Sequence, residues 1–378
     1  MKTIKTDGLD ILCWSNSPEE GALEQAKNIA QLPFAHKHIA LMPDTHQGFG
    51  MPIGGVLAAV GHIIPNAVGV DIGCGIIATK TSLTEIDTPT LKNVMGLVRK
   101  SIPLGFNHRK EAIDIEQPPK NAPVVAEQHK KARFQVGTLG GGNHFIEFQR
   151  GNDGHIWFMV HSGSRNLGKQ VCDHYNRLAK EKTKDAIPKA WDLAYLQADS
   201  DIGQQYIIEM EYCLRFAKHN RDVMSQIILG ILQNETGAKT LDSINIHHNY
   251  AGHENHYGKN VWVHRKGATS ARKGERGIIP GSQGTKSYIV TGKGNPLSFE
   301  SCSHGAGRVM GRKQAERTLN LQEEIAKLDA LGILHGIRGV KDLDEAMSVY
   351  KNIDIVMQEQ QDLVDIAVEL TPLGVIKG

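Results

Sequence analysis

The chain has few of the features that mark membrane, secreted or histone-like proteins. It contains no run of about 18 apolar residues, the length of a membrane-spanning helix, and its polar beginning lacks the apolar region of a signal peptide. Its five cysteines are scattered and odd in number, which argues against a disulfide framework. The 43 Lys and Arg residues nearly balance the 41 Asp and Glu residues, which excludes histone-like binding but permits a local basic groove. We therefore expect a cytoplasmic protein.

Glycine and histidine are abundant instead. The 378 residues include 40 glycines, which permit close approach of the backbone to a ligand, and 18 histidines, which favour metal or acid–base chemistry. The length fits two or three domains as well as one large mixed domain. In either arrangement the chain is long enough to bury a sizeable core.

Hydrophobic periodicity predicts both helices and strands. An approximate 3/4 spacing predicts a helix over Asp201–Leu232, and we also expect helices over Leu319–Leu331 and Asp344–Val368. Short apolar runs bounded by glycine predict buried strands, for example Ile156–Val160 and Ser287–Val290. Strands with inserted helices, without strict alternation, favour an α+β fold over a doubly wound sheet.

Metal-type ligands recur beside glycine. Asp71 and Cys74 lie three residues apart in a glycine-rich turn. Four histidines share one placement, at the end of a strand pattern and beside glycine or small polar residues: His144, His161, His248 and His304. Singly, each could be a structural residue, and Cys74 a small hydrophobic one. Together they indicate a binuclear metal site with one spare histidine, although thiolate and imidazole suit zinc whereas manganese prefers oxygen.

Several nucleotide and metal motifs fail. The segment Gly281–Ser287 places Thr285 between Gly284 and Lys286, so it is not a Walker A loop, and Gly48–Gly54 has one residue too many for a dinucleotide fingerprint. "HENH" is one residue short of the zincin motif. "KTDG" matches the signature of lysine-adenylylating and lysine-guanylylating ligases, but the chain has none of the later motifs of that superfamily, and we interpret it as a solvated turn.

Eight motifs in order resemble those of the RtcB family of GTP-dependent RNA ligases. They are "MPDTHQGFGMPIG", "VGVDIGCG", "GTLGGGNHFIE", "HSGSR", "HHNYA", "IPGSQGTKSY", "SCSHGAGR" and the final "VIKG". The resemblance extends from about Leu41 to Gly378. It implies one large mixed α+β domain over residues 1–378, with β-sheets carrying a binuclear metal and GTP site.

The family reaction is then expected for this chain. Family members join an RNA 2′,3′-cyclic phosphate or 3′-phosphate end to a 5′-hydroxyl end, in RNA repair or tRNA splicing, with GTP and two Mn²⁺ ions. A histidine–GMP intermediate forms, GMP passes to the RNA 3′-phosphate, and the 5′-hydroxyl displaces it. We expect a monomer that acts on RNA and not at a membrane, and the need for an activating protein partner stays open.

The resemblance assigns roles to residues. His304 would be the nucleophile. One Mn²⁺ would be held by Asp71, Cys74 and His144, and the other would share Cys74 and add His161 and His248, which we prefer to His247 because the family ligand directly precedes asparagine. The implied nucleotide contacts are Asn143, His144, Phe145, Ile146, Glu147, His248, Asn249, Pro280, Gly281, Ser282, Gln283, Ser287, His304, Gly305, Ala306, Gly307 and Lys377. Arg165 would contact RNA.

Two departures from the family pattern and two rival functions accompany these assignments. Asn166 replaces a common glycine, which asparagine's tolerance of left-handed backbone would accommodate, and Gln283 replaces an apolar residue.

The ligand set alone supports a binuclear metallohydrolase such as a cyclic phosphodiesterase equally well. A catalytically silent RNA-binding module is the other alternative, and retention of every expected ligand argues against it.

Overall fold

Two β-sheets form the framework in a computed structural model that describes residues 1–378. Strands are numbered along the chain. In spatial order, the first sheet contains β1 (Lys2–Ile4), β2 (Asp10–Cys13), β3 (Ala35–His46), β4 (Ile53–Ala59), β12 (Lys259–Lys266) and β11 (Asn249–His256). Only β2 and β3 pair in parallel within this sheet; its other neighbours are antiparallel.

The second sheet carries most of the predicted ligands. In spatial order it contains β10 (Thr240–His247), β6 (Gly75–Thr81), β8 (Ile156–Ser162), β7 (Phe145–Gly151), β17 (Val364–Lys377), β15 (Ser287–Gly292) and β14 (Arg276–Ile279). Two small sheets pair β5 (His62–Ile63) with β9 (Leu196–Gln197), and β13 (Ala268–Ser270) with β16 (Ser301–Ser303). The predicted strands Ile156–Val160 and Ser287–Val290 are confirmed within β8 and β15.

Nine α-helices cover the sheets. They are α1 (Glu20–Ala30), α2 (Pro65–Val68), α3 (Thr88–Ser101), α4 (Pro123–Ala132), α5 (Arg165–Thr183), α6 (Asp201–Thr236), α7 (Arg312–Thr318), α8 (Leu321–Ala330) and α9 (Ile353–Glu359). The predicted helix at Asp201–Leu232 is confirmed and continues to Thr236, capped by the Ser200 side chain and by Gly237 in left-handed conformation. The predicted helix at Leu319–Leu331 is confirmed as α8. No helix combines the length and apolar character that crossing a membrane requires.

The predicted helix over Asp344–Val368 is wrong. This segment contains 3₁₀ turns over Val340–Glu345 and Met347–Val349, the short helix α9, and the beginning of β17. Strand β17 pairs with β7 on one side and β15 on the other. The backbone hydrogen bonds that these neighbours offer override the local helical spacing, which extends no further than α9.

The core lies between layers. Buried residues of both sheets join in one cluster, exemplified by Met42 and Val56 from the first sheet and Val290 from β15. The long helix α6 covers another face of the second sheet, where Met224 and Ile228 pack in a cluster with strand residues. The predicted mixed α+β architecture is confirmed. The assignment of residues 1–378 to a single domain stays a prediction.

Candidate active site

Strand register brings the predicted metal ligands to one edge of the second sheet. Residues Gly75 and Phe145 begin β6 and β7, and they pair with Ser162 and His161 near the end of the antiparallel β8. Cys74 and His144 directly precede those two strand starts. On the other side of β6, Gly75 pairs with His247, so the next residue, His248, reaches the same edge.

Two overlapping groups of ligand atoms result. Asp71, Cys74 and His144 form one group and Cys74, His161 and His248 form the other, with the ligand atoms of each group within 4.8 Å of one another. The Cys74 Sγ lies 3.5 Å from His144 Nε2 and 3.2 Å from His161 Nε2. His161 Nε2 lies 3.3 Å from His248 Nε2. The structure therefore brings together all five predicted ligands, with the thiol common to both groups.

The predicted preference for His248 over His247 agrees with this geometry. The His247 Nδ1 lies 3.2 Å from the Gly73 carbonyl oxygen and 3.1 Å from an Arg221 guanidinium nitrogen. Its ring therefore faces Arg221, whereas His248 faces the thiol of Cys74.

Hydrogen bonds on the far side of two rings show that this cluster fits a cation. The Nδ1 of His144 donates to the Leu139 carbonyl at 2.9 Å, and the Nδ1 of His161 donates to the Asn143 carbonyl at 3.0 Å. In a neutral imidazole the Nε2 atom then carries a lone pair. Those lone pairs point at the thiol and, for His144, at an Asp71 carboxylate oxygen 3.0 Å away. Converging electron pairs of this kind are stabilised by a bound metal ion.

Burial acts on the same groups. It raises the pKa of the Cys74 thiol well above its usual value, and lowers the pKa values of His161 and His248 well below theirs. Burial also opposes ionisation of Asp71, yet the hydrogen bond and charge of His144 offset it, so the pKa of Asp71 is lowered. The two histidines are therefore neutral near pH 7, as metal binding requires.

Glycine at position 163 permits the packing of Asp71. A Cβ atom built there would lie 2.1 Å from an Asp71 carboxylate oxygen. Only glycine leaves the backbone room to approach the carboxylate this closely.

His304 lies beside the cluster and is held by Asp44. The His304 Nδ1 donates to the Asp44 carboxylate at 2.6 Å, and the His304 backbone N–H donates to the same oxygen at 3.1 Å. The side chain of Asp44 is completely buried, whereas that of His304 is 16% exposed. Because Nδ1 carries the shared proton, the Nε2 atom has the free lone pair. The His304 and His248 ring centroids are 4.8 Å apart.

The local backbone fixes this pair. Burial opposes ionisation of Asp44, but the neighbouring imidazole of His304 offsets it and the pKa of Asp44 is lowered. Lys351 donates to the carbonyls of Pro43 and Thr45, on either side of Asp44. Gly307 has φ +75°, and a Cβ there would lie 2.2 Å from the Asp44 carbonyl oxygen, so this position requires glycine.

A small cavity opens on one side of His304, with a volume of about 160 Å³. Twelve of the predicted nucleotide contacts line it: Asn143, Phe145, Glu147, Pro280, Gly281, Ser282, Gln283, His304, Gly305, Ala306, Gly307 and Lys377. The cavity also receives Arg308, Arg312, Glu345 and Tyr350. Arg308 and Arg312 each donate to the buried Glu345 carboxylate at 2.9 Å. Most of the predicted nucleotide contacts thus line one cavity.

The floor of the small cavity carries an acid and a base. Burial raises the pKa of Glu147 to about 8 and lowers the pKa of Lys377. The Lys377 Nζ lies 5.7 Å from the centre of the Phe145 ring. A buried carboxyl group beside an ammonium group can bind a ligand edge that presents both donors and an acceptor.

Some predicted contacts lie elsewhere. Ile146 is completely buried in the core against the α6 side of the sheet, so only its backbone is available to a ligand. His144 and Ser287 line neither cavity, although the Ser287 hydroxyl accepts from Gly281 N at 3.1 Å. His248 and Asn249 line a second, larger cavity of about 720 Å³ on the other side of His304. The nucleotide roles of these five residues, like those of the twelve that line the small cavity, stay predictions.

The expected RNA contact also lies outside both cavities. Arg165 packs against Gly140, where a Cβ would meet its guanidinium, and donates to Thr138 Oγ1 at 3.2 Å and to the Gly105 carbonyl at 3.3 Å. Its RNA role stays a prediction. The left-handed backbone expected at Asn166 is instead found at Arg165, the first residue of α5, with φ 58°.

Sequence reasoning missed the residues that support the site from a distance. Asp44, Arg312 and Glu345 carry no local signal of their own except that Asp44 lies in the quoted motif "MPDTHQGFGMPIG". On α6, Asn220 accepts from Gly137 N and Thr138 N and donates to the carbonyls of Thr138 and Gly163. Such contacts join segments far apart in the chain, so no local pattern reveals them.

Its neighbour Arg221 supports two further ligand loops. Arg221 donates to the carbonyls of Gly73 and Ser162 at 2.9 Å each, next to the ligands Cys74 and His161. Asn220 and Arg221 are both completely buried. Together they connect the loops that carry Cys74, His144 and His161.

Fold and site together define a mixed α+β protein with a candidate two-metal centre beside a carboxylate-held histidine. Residues 25–122 and 113–378 match the family model described as "tRNA-splicing ligase RtcB". The chain is 37% identical to the RNA-splicing ligase RtcB of Escherichia coli K12, with 99% of each chain covered. It is 32% identical to the tRNA-splicing ligase RtcB of Thermococcus kodakarensis, with 95% of this chain and 92% of the relative covered. The chain belongs to the RtcB family.

Proposed function

We propose that this protein is a cytoplasmic RNA ligase that joins a 3′-phosphate or 2′,3′-cyclic phosphate end to a 5′-hydroxyl end with GTP, through a histidine–GMP intermediate. The observation that carries the proposal is the geometry of His304. Its Nδ1 is held by the buried Asp44 at 2.6 Å, and its Nε2 is free where the small cavity meets the two ligand groups. Membership of the RtcB family supports the ligase class.

The small cavity supports guanine as the base. The guanine edge presents N–H donors at N1 and N2 and an acceptor at O6. The Glu147 carboxylate would accept from the donors and Lys377 would donate to the acceptor. Both side chains lie on neighbouring strands, β7 and β17, at the floor of the cavity. Adenine reverses this donor and acceptor pattern and leaves both buried groups unpaired.

Guanylylation begins with His304. Its Nε2 lone pair attacks the α-phosphorus of GTP, a P–N bond forms, and the bond to pyrophosphate breaks. The ring gains positive charge while Nδ1 keeps its proton, and the Asp44 carboxylate stabilises that charge, as in other carboxylate–histidine pairs.

Transfer and sealing follow. An oxygen of the RNA 3′-phosphate attacks the same phosphorus, the P–N bond breaks, and His304 regains its lone pair. The RNA 5′-hydroxyl then attacks the phosphorus of the former 3′-phosphate, its proton passes to solvent, and GMP leaves. A 2′,3′-cyclic end must first be opened by water to the 3′-phosphate.

Asp71, Cys74, His144, His161 and His248 would hold two Mn²⁺ ions, with Cys74 shared. Such a pair supplies charge neutralisation and alignment for in-line displacement at phosphorus. The donor set is compatible with a divalent ion because His161 and His248 are neutral and their lone pairs converge with the thiol. Zn²⁺ is the main competitor for a site with a thiolate.

Labelling with α-³²P GTP tests the proposal. Protein is incubated with labelled GTP and Mn²⁺, with Mg²⁺ and Zn²⁺ as parallel samples, and the label is tested in acid and alkali. We expect an acid-labile, alkali-stable label that His304→Ala abolishes. His253→Ala, which removes an exposed histidine that lines neither cavity, is the matched control.

The other outcomes contradict the proposal. A label that survives in His304→Ala would show that the nucleophile is another residue. No label with any of the three metals, together with hydrolysis of a 2′,3′-cyclic phosphate by the same protein, would identify a metallohydrolase instead.

A further inference from the structure

The large cavity carries one aromatic side chain whose exposure stands out. The large cavity shares His304, Asn143 and Arg308 with the small cavity, and its lining includes residues 47–49. Phe49 lines the large cavity and is 81% exposed. The aromatic residues of the small cavity, Phe145 and Tyr350, are both only partly exposed. A phenylalanine ring in water forgoes the stabilisation that burial would give it.

The backbone that carries this ring is held from both sides. Gln25 donates to the Gly48 carbonyl at 2.7 Å and accepts from Gly48 N at 3.0 Å. Lys266 donates to the Phe49 carbonyl at 2.6 Å, and Met51 N donates to the same oxygen at 2.8 Å. The loop is therefore fixed while its aromatic side chain stays bare. Because the backbone is already ordered, only the side-chain torsions of Phe49 lose freedom when a flat partner binds.

A buried lysine, Lys266, also holds the loop that carries Phe49. Lys266 is only 7% exposed and gives its ammonium protons to the carbonyls of Phe49 and Asn66. Burial lowers the pKa of Lys266 to about 8. On the opposite side of the turn, a Cβ at Gly50 would meet the Asp192 carbonyl oxygen at 2.5 Å. These contacts thus hold the backbone of Phe49 in place at the cavity.

The charges around Phe49 favour a nucleobase over a phosphate. The only Lys and Arg residues that line the large cavity are Lys266, which faces backbone carbonyls, and Arg308, which is paired with Glu345. The acids Asp173 and Asp192 in the same wall are paired with Lys169 and Lys180. This wall therefore offers no unpaired cation to a phosphate, but it offers an aromatic face. Bases stack on such faces irrespective of their sequence.

We propose that Phe49 is a stacking platform for a nucleobase of the RNA strand whose 3′-phosphate receives GMP. The proposal rests on the proposed ligase function. We assign the base to the 3′-phosphate strand because the cavity that Phe49 lines also contains His304, which would donate GMP to that strand. Arg165, the other residue expected to contact RNA, lies outside both cavities. Phe49 is a substrate-positioning residue in this scheme and takes no part in breaking or forming bonds.

GMP transfer to one strand alone is the direct test. Each enzyme is first labelled with GTP, and transfer of label to a 3′-phosphate oligoribonucleotide is then measured per labelled enzyme, without a 5′-hydroxyl strand. Stacking on an aromatic residue predicts that Phe49→Ala raises the half-saturating RNA concentration about 5- to 100-fold. Phe49→Leu should resemble Phe49→Ala, because it keeps apolar bulk and loses the aromatic face, whereas Phe49→Trp should restore wild-type behaviour.

Two controls sharpen the test. Tyr257→Ala removes a 42% exposed aromatic residue that lines neither cavity, and should leave the RNA dependence unchanged. An oligoribonucleotide with abasic nucleotides at its 3′-phosphate end should bind wild type as weakly as the intact RNA binds Phe49→Ala. Equal half-saturating concentrations for wild type and Phe49→Ala would overturn the proposal, and would leave the ring free to contact a protein.

Fluorescence separates this proposal from the ligase function. In Phe49→Trp, titration with the 3′-phosphate oligoribonucleotide without GTP should change the emission of the new tryptophan, and the abasic RNA should change it much less. This readout holds even if wild type forms no GMP label, an outcome that would remove the ligase proposal alone. An emission that responds equally to both RNAs would remove the stacking proposal alone.

Discussion

The two cavities that meet at His304 are built in different ways. In the small cavity, polar side chains are paired with one another, as Arg308 and Arg312 are with the buried Glu345 carboxylate. The lining of the large cavity includes three of the candidate metal ligands, Asp71, Cys74 and His248, together with the exposed ring of Phe49. Buried, paired groups discriminate between ligands by hydrogen bonding, whereas an exposed ring accepts any base. Under the proposed function, His304 would therefore serve both a selective nucleotide site and a sequence-tolerant RNA site.

We expect the largest effect on metal binding and ligation from loss of the Cys74 thiol, which both ligand groups share. Cys74→Ala removes the only ligand common to both groups, so we expect loss of both bound metal ions and a fall in ligation of about 10⁴-fold or more. Metal analysis by mass spectrometry measures the stoichiometry directly. Cys172→Ala, at a buried cysteine that lines the large cavity without belonging to either group, is the control. Two ions retained in Cys74→Ala would contradict the shared role.

A substitution of Asp44 tests how its carboxylate supports His304, which lines both cavities. In Asp44→Asn the ring of His304 loses the charge that stabilises it during attack, so the guanylylation rate should fall about 10³-fold, with GTP affinity nearly unchanged. Single-turnover label formation at several GTP concentrations separates the two quantities. Asp10→Asn changes an acid at the start of β2 that is paired with Lys5, and serves as control. A change in GTP affinity alone would assign Asp44 to nucleotide binding.

Glu147 sharpens the selectivity of the small cavity. Glu147→Gln should reduce the preference for GTP over ATP in label formation about 10- to 100-fold, because the amide offers a donor where guanine also offers one. Glu369→Gln, on the adjacent strand β17 and paired with Lys286, is the control. An unchanged preference would place the guanine edge elsewhere.

The same residue predicts a pH dependence. With a pKa of about 8, Glu147 is protonated in the free protein at pH 7, and it must ionise to accept from guanine. GTP binding therefore releases a proton, and affinity rises with pH from 6 to about 8 and then levels. Calorimetry without metal, in two buffers of different ionisation heat, measures this release. Wild type and Glu147→Gln should differ by nearly one proton, and an equal release would contradict the assignment.

Asn220 gives the smallest expected effect on chemistry and the clearest one on stability. Asn220→Ala leaves Gly137 N and Thr138 N without their buried partner, so the free energy of unfolding should fall by about 2–4 kcal/mol. The loop that carries His144 loosens, and metal affinity should fall with it. Thermal unfolding with and without Mn²⁺ measures both. Lys218→Ala, exposed on the same helix, should change neither, and a metal affinity unaffected in Asn220→Ala would confine its role to folding.

Much of the fold was predictable where the signal is local. The long helix α6 is predictable from 32 residues with helical periodicity and from its serine cap. Buried strands are predictable from apolar runs between glycines. The helix prediction for residues 344–368 was wrong because the helical spacing there is short. The strands that pair with β17 at the end of this segment, β7 and β15, lie far away in the chain. Pairing between distant strands is decided by the whole sheet, and a short window of sequence does not contain it.

By itself, the sequence determined the chemistry available: a thiol, a carboxylate and imidazoles at strand ends, a glycine-rich loop after His304, and motifs in the family's order. Only the tertiary structure decided how they are arranged. It directs His248 and not His247 to Cys74, places the Asp44 carboxylate 2.6 Å from His304, and leaves the ring of Phe49 bare beside a buried lysine. The reason is that distance, burial and proton position are properties of neighbours in space. Asp44 and His304 are 260 residues apart in the chain.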